Sequence, residues 1–259
     1  MNGERSREVP FLHRQRAFRG RIDFSCLGKR KPVLATLLAL RITMDDKLTQ
    51  LIRENYNRLA EAYARQLFHE LENKPLDRQL LDRFATETAG RGEVCDMGCG
   101  PGHVARYLCD AGATVCGLDL SPDMIDLAKR LNPKITFRVG NMLALDLASG
   151  SVAGIAAFYA IVNIPRQSLP LVFKEMLRVL QPDGLLLLAF HAGDETVRPA
   201  ELWGQPVSLD WFFFPVPEIQ RLLEAAGFTT VEVIERDPYP PDVEHQSRRA
   251  YIFARRLAF

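Results

Sequence analysis

The stretch Val94-Cys95-Asp96-Met97-Gly98-Cys99-Gly100-Pro101-Gly102-His103-Val104-Ala105 decides the fold. A short apolar run reaches an acid, a glycine-studded turn follows, and a helix-compatible segment begins. Glycine at 98, 100 and 102 lets the backbone turn sharply and approach a ligand where a Cβ would collide. A turn from a strand into a helix N-terminus also gathers free backbone N–H groups at one spot. Loops of this kind cradle nucleotide-like cofactors in doubly wound α/β folds.

The spacing narrows the ligand. A dinucleotide loop, G-x-G-x-x-G, would need glycine at 103, where this chain has His103. The pattern is instead D-x-G-x-G-x-G, with Asp96 two residues ahead of the first glycine. A carboxylate there repels a pyrophosphate and attracts an ammonium group. In this motif the chain resembles the class I (Rossmann-like) S-adenosylmethionine-dependent methyltransferases of the small-molecule type. The resemblance extends over roughly residues 45–257. It implies S-adenosyl-L-methionine as cofactor, with Asp96, Gly98, Gly100 and Gly102 around it.

The downstream spacing agrees. Ala113 to Ser121 reads as a second strand ending in Asp119, about twenty residues beyond the loop, where a carboxylate accepts from ribose hydroxyls. Leu120 adjoins it, and Ser121-Pro122 supplies an N-cap followed by proline at the first helical position. A third strand, Ile135–Val139, runs into Gly140-Asn141-Met142. The family usually has Gly-Asp here, the acid accepting from the adenine amino group. Asn141 offers an amide oxygen for that bond, and Met142 a polarisable face for the ring. Ser151–Ala160 reads as a buried fourth strand whose end faces the ligand, with Phe158 assigned to the cofactor and Tyr159 and Asn163 to the acceptor. Asn163-Ile164-Pro165-Arg166 lacks the Asn/Asp-Pro-Pro-Tyr of amino-methylating DNA enzymes, and no cysteine follows Cys116 to act as a cytosine-C5 nucleophile. Nucleic acid is therefore not the expected substrate.

The remaining pattern completes one α/β domain. A helix over 167–180, a turn at Gln181-Pro182-Asp183-Gly184 and an apolar strand over 185–191 follow, then a helix from Pro217 to Gly227 and strands at 229–234 and 250–255. Alternating strands and helices predict a mainly parallel, doubly wound sheet. By resemblance it has seven strands in the order 3-2-1-4-5-7-6, with strand 7 antiparallel and N-terminal cap helices. Domain boundaries are expected at a basic extension, 1–43, with little stable structure, and a methyltransferase domain, 44–259. The latter divides into cap helices (44–90) and a core (91–259) carrying a lid at 191–217.

Residues 1–43 hold ten Lys/Arg against three acids, which reads either as a targeting leader or as sequence upstream of a start at Met44, the second being preferred. The whole chain carries a net charge of +1, which implies no general attraction to nucleic acid or membrane. Five cysteines form no C-x-x-C pair, so a reduced, cytoplasmic protein without a metal site is expected.

From Asp45 a helical pattern runs through Tyr56, Leu59, Ala60 and Tyr63, resembling the helix that lids the cofactor in small-molecule methyltransferases. Tyr63 is then the cap's cofactor contact. The 191–217 segment holds both tryptophans, and Trp203 and Phe212 are its acceptor-contact candidates. His191, at a strand end, is the candidate general base. The implied reaction is in-line methyl transfer to a small-molecule acceptor, driven by proximity and orientation. Two alternatives stay open at this point: a protein that binds the cofactor without transferring its methyl group, and an NAD(P)-dependent oxidoreductase.

Overall fold

Every residue from Leu185 to Phe190 is apolar because the strand they form is covered on both faces. Leu186, Leu188 and Phe190 enter one hydrophobic cluster, and Leu185, Leu187 and Ala189 enter the other. The same alternation separates Ala250, Ile252 and Ala254 from Tyr251 and Phe253. These strands are β5 (Leu180–Ala192) and β11 (Arg248–Arg256), neighbours inside a seven-stranded sheet.

The structure, a computed structural model, describes residues 31–258, with side chains from Asp46 onward. Residues 1–30, which hold most of the basic segment, lie outside the described residues. Asp46–Phe259 form one unit; of the other, Met1–Asp45, only helical backbone from 31 is described. The sheet adds β1 (Val94–Met97), β2 (Val115–Asp119), β3 (Thr136–Val139), β4 (Val152–Phe158) and β10 (Phe228–Arg236). Its order is β3-β2-β1-β4-β5-β11-β10, with β11 antiparallel to both neighbours. This is the order expected from the sequence.

The part of α1 (Lys31–Leu67) from Asp46 on and α2 (Pro75–Thr88) form the cap, joined by a 3-10 turn at Glu70–Asn73. The sheet is flanked by α3 (His103–Asp110), α4 (Pro122–Leu131), α5 (Leu169–Val179) and α6 (Val216–Ala226). Leu80, Leu81 and Phe84 of α2 pack with α3 and α4 residues on one face, while Val172, Phe173 and Ile219 of α5 and α6 cover the other. The sequence start and stop signals act as local chemistry dictates. Met124 N–H donates to Ser121 Oγ at 3.1 Å, capping α4, and Gly227 closes α6 at φ 111°.

Two expectations are refined. Gln181–Gly184 does not precede the fifth strand but lies within β5 as an irregular stretch. Val152 faces Leu180 and Gly154 faces Leu185, so the extra residues bulge out, with Asp183 at φ 60°. Pro182 has no N–H to give a ladder, so the turn chemistry survives inside the strand. The 191–217 segment is not a bare loop. It carries two small antiparallel ribbons, β6 (Thr196–Val197) with β9 (Trp211–Phe212) and β7 (Glu201–Leu202) with β8 (Gln205–Pro206).

Candidate active site

The glycine loop turns between β1 and α3 beside the end of β2. Gly98 N–H and Cys99 N–H both donate to Leu118 O, at 2.7 and 2.9 Å, which ties the turn to the neighbouring strand. Gly98 sits at φ 74°, and a Cβ there would lie 2.6 Å from Ala160 Cβ. Gly100, at φ 50°, has the Tyr63 ring 3.7 Å from where its Cβ would be. The first glycine is thus demanded by packing as well as conformation, and the second keeps a space beneath the cap open. Gly102 is the N-cap of α3.

Two carboxylates frame this space, and among the described residues neither makes an ion pair. Asp96 is fully buried, its Oδ2 accepting from Ala105 N–H at 2.8 Å on the first turn of α3. Burial pushes its carboxyl up to about 7, against the pull of His103 and that N–H. Asp119 Oδ2 accepts from Gly100 N–H at 2.9 Å and Oδ1 from Ser121 N–H at 2.8 Å. Desolvation raises it too, opposed by its backbone hydrogen bonds. An open, glycine-lined cradle with two uncompensated acids fits a ligand that brings a cation and hydroxyl donors, as S-adenosylmethionine does.

The other sequence candidates take these positions. Met142 Cε lies 3.8 Å from the position of a Gly98 Cβ. Asn141 Oδ1 already accepts from Leu143 N–H at 2.9 Å, an Asx turn that uses one of its lone pairs. Leu120 packs with Ile52 and Leu59 of the cap, and buried Phe158 lies edge-on to Tyr159, centroids 6.3 Å apart. Tyr63 packs edge-on against Tyr56 (6.3 Å) and Trp203 (5.5 Å), so cap and insertion meet above the loop. Asn57 holds α1 to this site, its Oδ1 accepting from Ser121 Oγ–H at 2.6 Å.

Beside the cradle is a cavity of about 410 Å³, whose lining includes Tyr56, Tyr63, Tyr159, His191, Trp203 and Trp211. Tyr159 and Trp203, the acceptor candidates, and His191, the general-base candidate, therefore share one chamber with Tyr63, the cofactor candidate. Two other candidates do not line it. Asn163 is buried as a brace, accepting from Tyr56 O–H and donating to Asp210 O, each at 2.8 Å. Phe212 turns to the core and packs near Phe214, because successive strand residues point to opposite sides and Trp211 takes the cavity side. Tyr159 (φ 53°) and Trp203 (φ 51°) hold left-handed backbone, strain that surrounding contacts must support.

The cavity floor is a buried ionic network that sequence reading missed. Lys74 Nζ lies 2.6 Å from Glu70 Oε2 and 3.5 Å from Glu244 Oε2. Glu244 also pairs with Arg236 and with Arg249 at 3.6 Å, and Arg236 reaches Asp77 at 3.2 Å. Tyr251 O–H donates to Asp77 at 3.0 Å. His103 Nε2, 3.0 Å from Glu70 Oε1, joins this network to the glycine loop's helix. Burial would raise the Glu70 carboxyl, but the bonds from His103 and Lys74 hold it down at about 2. Glu70, Lys74 and Asp77 lie on the 3-10 turn, at its end and in the first turn of α2, and only their partners at 236, 244 and 249 make them a site.

His191 closes the chamber's far wall, stacked on Phe213 with centroids 4.8 Å apart and planes at 11°. Its Nδ1 lies 2.7 Å from Ser247 Oγ. Burial first, then Arg249, His245 and Lys74, hold its pKa well below the usual imidazole value, against the opposite pull of Glu70.

Comparison with known proteins returns the same picture. Residues 94–184 match the family described as "Methyltransferase domain". The chain is 32% identical over 157 residues to a 2-methyl-6-phytyl-1,4-hydroquinone methyltransferase from Synechocystis sp., covering 56% of this chain and 48% of that protein. It thus spans about half the length of the curated relatives it matches. A SAM-dependent methyltransferase from Methanosarcina mazei superposes with a TM-score of 0.59 at 18% identity, over 64% of this chain and 93% of its own. The [4+2]-cyclase SpnF superposes with a TM-score of 0.53 at 17% identity, over 69% of this chain and 82% of its own.

Proposed function

We propose that this chain, whose core is a class I S-adenosylmethionine-dependent methyltransferase domain, transfers a methyl group to a small-molecule acceptor held in the chamber beneath the cap. The observation that carries this reading is the adjacency of two unlike spaces: the glycine cradle with its uncompensated Asp96 and Asp119, and the aromatic cavity reached past Tyr63. The D-x-G-x-G-x-G spacing and the family match speak against a nicotinamide cofactor.

S-adenosylmethionine supplies an electrophilic methyl group on a sulfonium. In this reading Asp119 accepts from the ribose hydroxyls, Asp96 compensates the cationic end, and Gly98 and Gly100 keep the loop free of side chains. The rings of Tyr63 and Trp203 exclude water above the cradle, and Tyr159 and His191 bound the acceptor. The chain's contribution is alignment of the two partners and exclusion of solvent. A cavity of about 410 Å³ suits a small acceptor.

The fold by itself does not dictate methyl transfer, as its sharing with a [4+2]-cyclase illustrates. The test therefore has two stages. Titration calorimetry should show binding of S-adenosylmethionine and its demethylated product but not NADH. Labelled-methyl transfer to a small-molecule library should then give a product. Cofactor binding with no product from any acceptor would favour the binding-only alternative.

A further inference from the structure

The wall of the chamber around His191 carries hydrogen-bond donors from Trp211 and Arg249. Ser247 Oγ accepts from Arg249 Nη1, whose guanidinium is always protonated and has no lone pair to offer. Among the described residues the one acceptor within reach of the Ser247 hydroxyl proton is His191 Nδ1. With the proton on that bond, the imidazole is the tautomer protonated on Nε2, the nitrogen that makes no hydrogen bond to any described residue. A neutral ring carrying Nε2–H donates from that atom and has no lone pair there to take a proton.

Two further donors stand at the same cavity. Trp211 Nε1 and Arg249 Nε are buried without a hydrogen-bond partner, and both residues line the chamber. The Arg249 side chain is only 3% exposed. Indole and guanidinium N–H groups cannot accept, and an unmet buried donor is costly, so each of these two calls for an acceptor; the chamber's Glu70 and Glu244 carboxylates make no bond to either atom and are engaged with Lys74, His103, Arg236 and the far end of Arg249. The rings of Tyr56, Tyr63, Tyr159 and Trp203 line the chamber too, beside the charged groups of Glu70, Lys74, Asp242 and Glu244.

We infer that the chamber takes a planar aromatic molecule bearing an oxyanion, a carboxylate or phenolate, whose oxygen is received by the Nε2–H of His191, with Trp211 and Arg249 as the neighbouring donors. This deepens the methyl-acceptor reading and rests on it for the identity of the chamber's occupant. His191 then acts as a donor that orients the acceptor, in place of the general base its strand-end position suggested. Trp211 and Arg249 are covered as the structure stands, so they engage the oxygen through a turn of the side chains around them.

The probes are 2-naphthoate, 2-naphthol, 2-naphthamide and 2-methylnaphthalene, titrated into the full chain in the presence and absence of S-adenosylhomocysteine. The expected result is binding of 2-naphthoate or 2-naphthol at least tenfold tighter than 2-methylnaphthalene, with 2-naphthamide between; which of the first two is tighter distinguishes carboxylate from phenolate. His191→Phe, which keeps the stack on Phe213, should erase that preference, and His191→Gln, which restores a donor near Nε2, should recover most of it. Thermal melts of both variants check that they fold. No preference for the oxygen-bearing probes in the wild type, or a preference that survives His191→Phe, overturns the inference. Failure of S-adenosylhomocysteine to bind at all counts against the methyltransferase reading instead, and the naphthalene series remains readable without it.

Discussion

The two halves of the site handle buried carboxylates in opposite ways. On the cofactor side, Asp96 and Asp119 meet backbone N–H groups and no cation, and burial raises both. On the acceptor side, Glu70, Asp77 and Glu244 are each bound to lysine or arginine; Glu70 is held down at about 2 and Glu244 is lowered, while burial leaves Asp77 raised against the pull of Lys74 and Arg236. The first set is held in readiness for a ligand's charge; the second is spent on structure, locking α2 to the segment between β10 and β11. The difference teaches that a buried acid marks a binding site when its countercharge is missing, and a brace when it is present.

The sharpest way to break this contrast is Glu244→Ala. It leaves Lys74, Arg236 and Arg249 short of a shared anion, and a loss of about 3–5 kcal/mol in urea unfolding is expected. A loss below about 1 kcal/mol would mean the network is not a brace. Asp119→Ala should weigh the other way: a smaller loss of about 1–3 kcal/mol in unfolding, from the Gly100 and Ser121 N–H groups left unmet, but cofactor affinity reduced by about 100-fold in calorimetry, the worth of charge-assisted bonds to two hydroxyls. Unchanged affinity would remove the ribose role.

The pH response should also have opposite signs. The folded pKa of Asp96 is raised to about 7, above an unfolded value near 4, so its contribution to stability is full below pH 4 and disappears as pH rises through 7. Glu70 is lowered to about 2, so its contribution is full above pH 4.5 and is lost as pH falls toward 2. Unfolding of Asp96→Asn beside wild type should therefore show the variant gaining relative stability from pH 4 to 7, while Glu70→Gln should converge on wild type only in acid. A cationic ligand favours ionised Asp96, so wild-type cofactor affinity should rise between pH 6 and 8, and Asp96→Asn should flatten that slope. The smallest effect is expected from Trp203→Ala. This side chain is 38% exposed and meets Tyr63 edge-on, so a severalfold faster cofactor release in stopped flow should come with no shift in melting temperature.

The sequence by itself determined what is local in the chain. The glycine turn, the acid at the end of β2, the Ser121-Pro122 cap and the Gly227 stop are each specified within a few residues by φ requirements, unpaired N–H groups or strand period. The strand order followed from a family resemblance carried by those same short motifs. Only the tertiary structure decided the acceptor side. Glu70, Lys74 and Asp77 become a buried network because Arg236, Glu244 and Arg249 arrive from the terminal hairpin, and no periodicity in α2 announces that. Trp211 rather than Phe212 faces the chamber because the strand's register sets it so. Asn163 became a brace because Tyr56 and Asp210 happened to meet it. His191 was visible as a histidine at a strand end, but its proton's place depends on Ser247 and Arg249, 56 and 58 residues away. Backbone geometry is written in neighbouring residues; the charge and hydrogen-bond state of a side chain is written in whatever the fold brings against it.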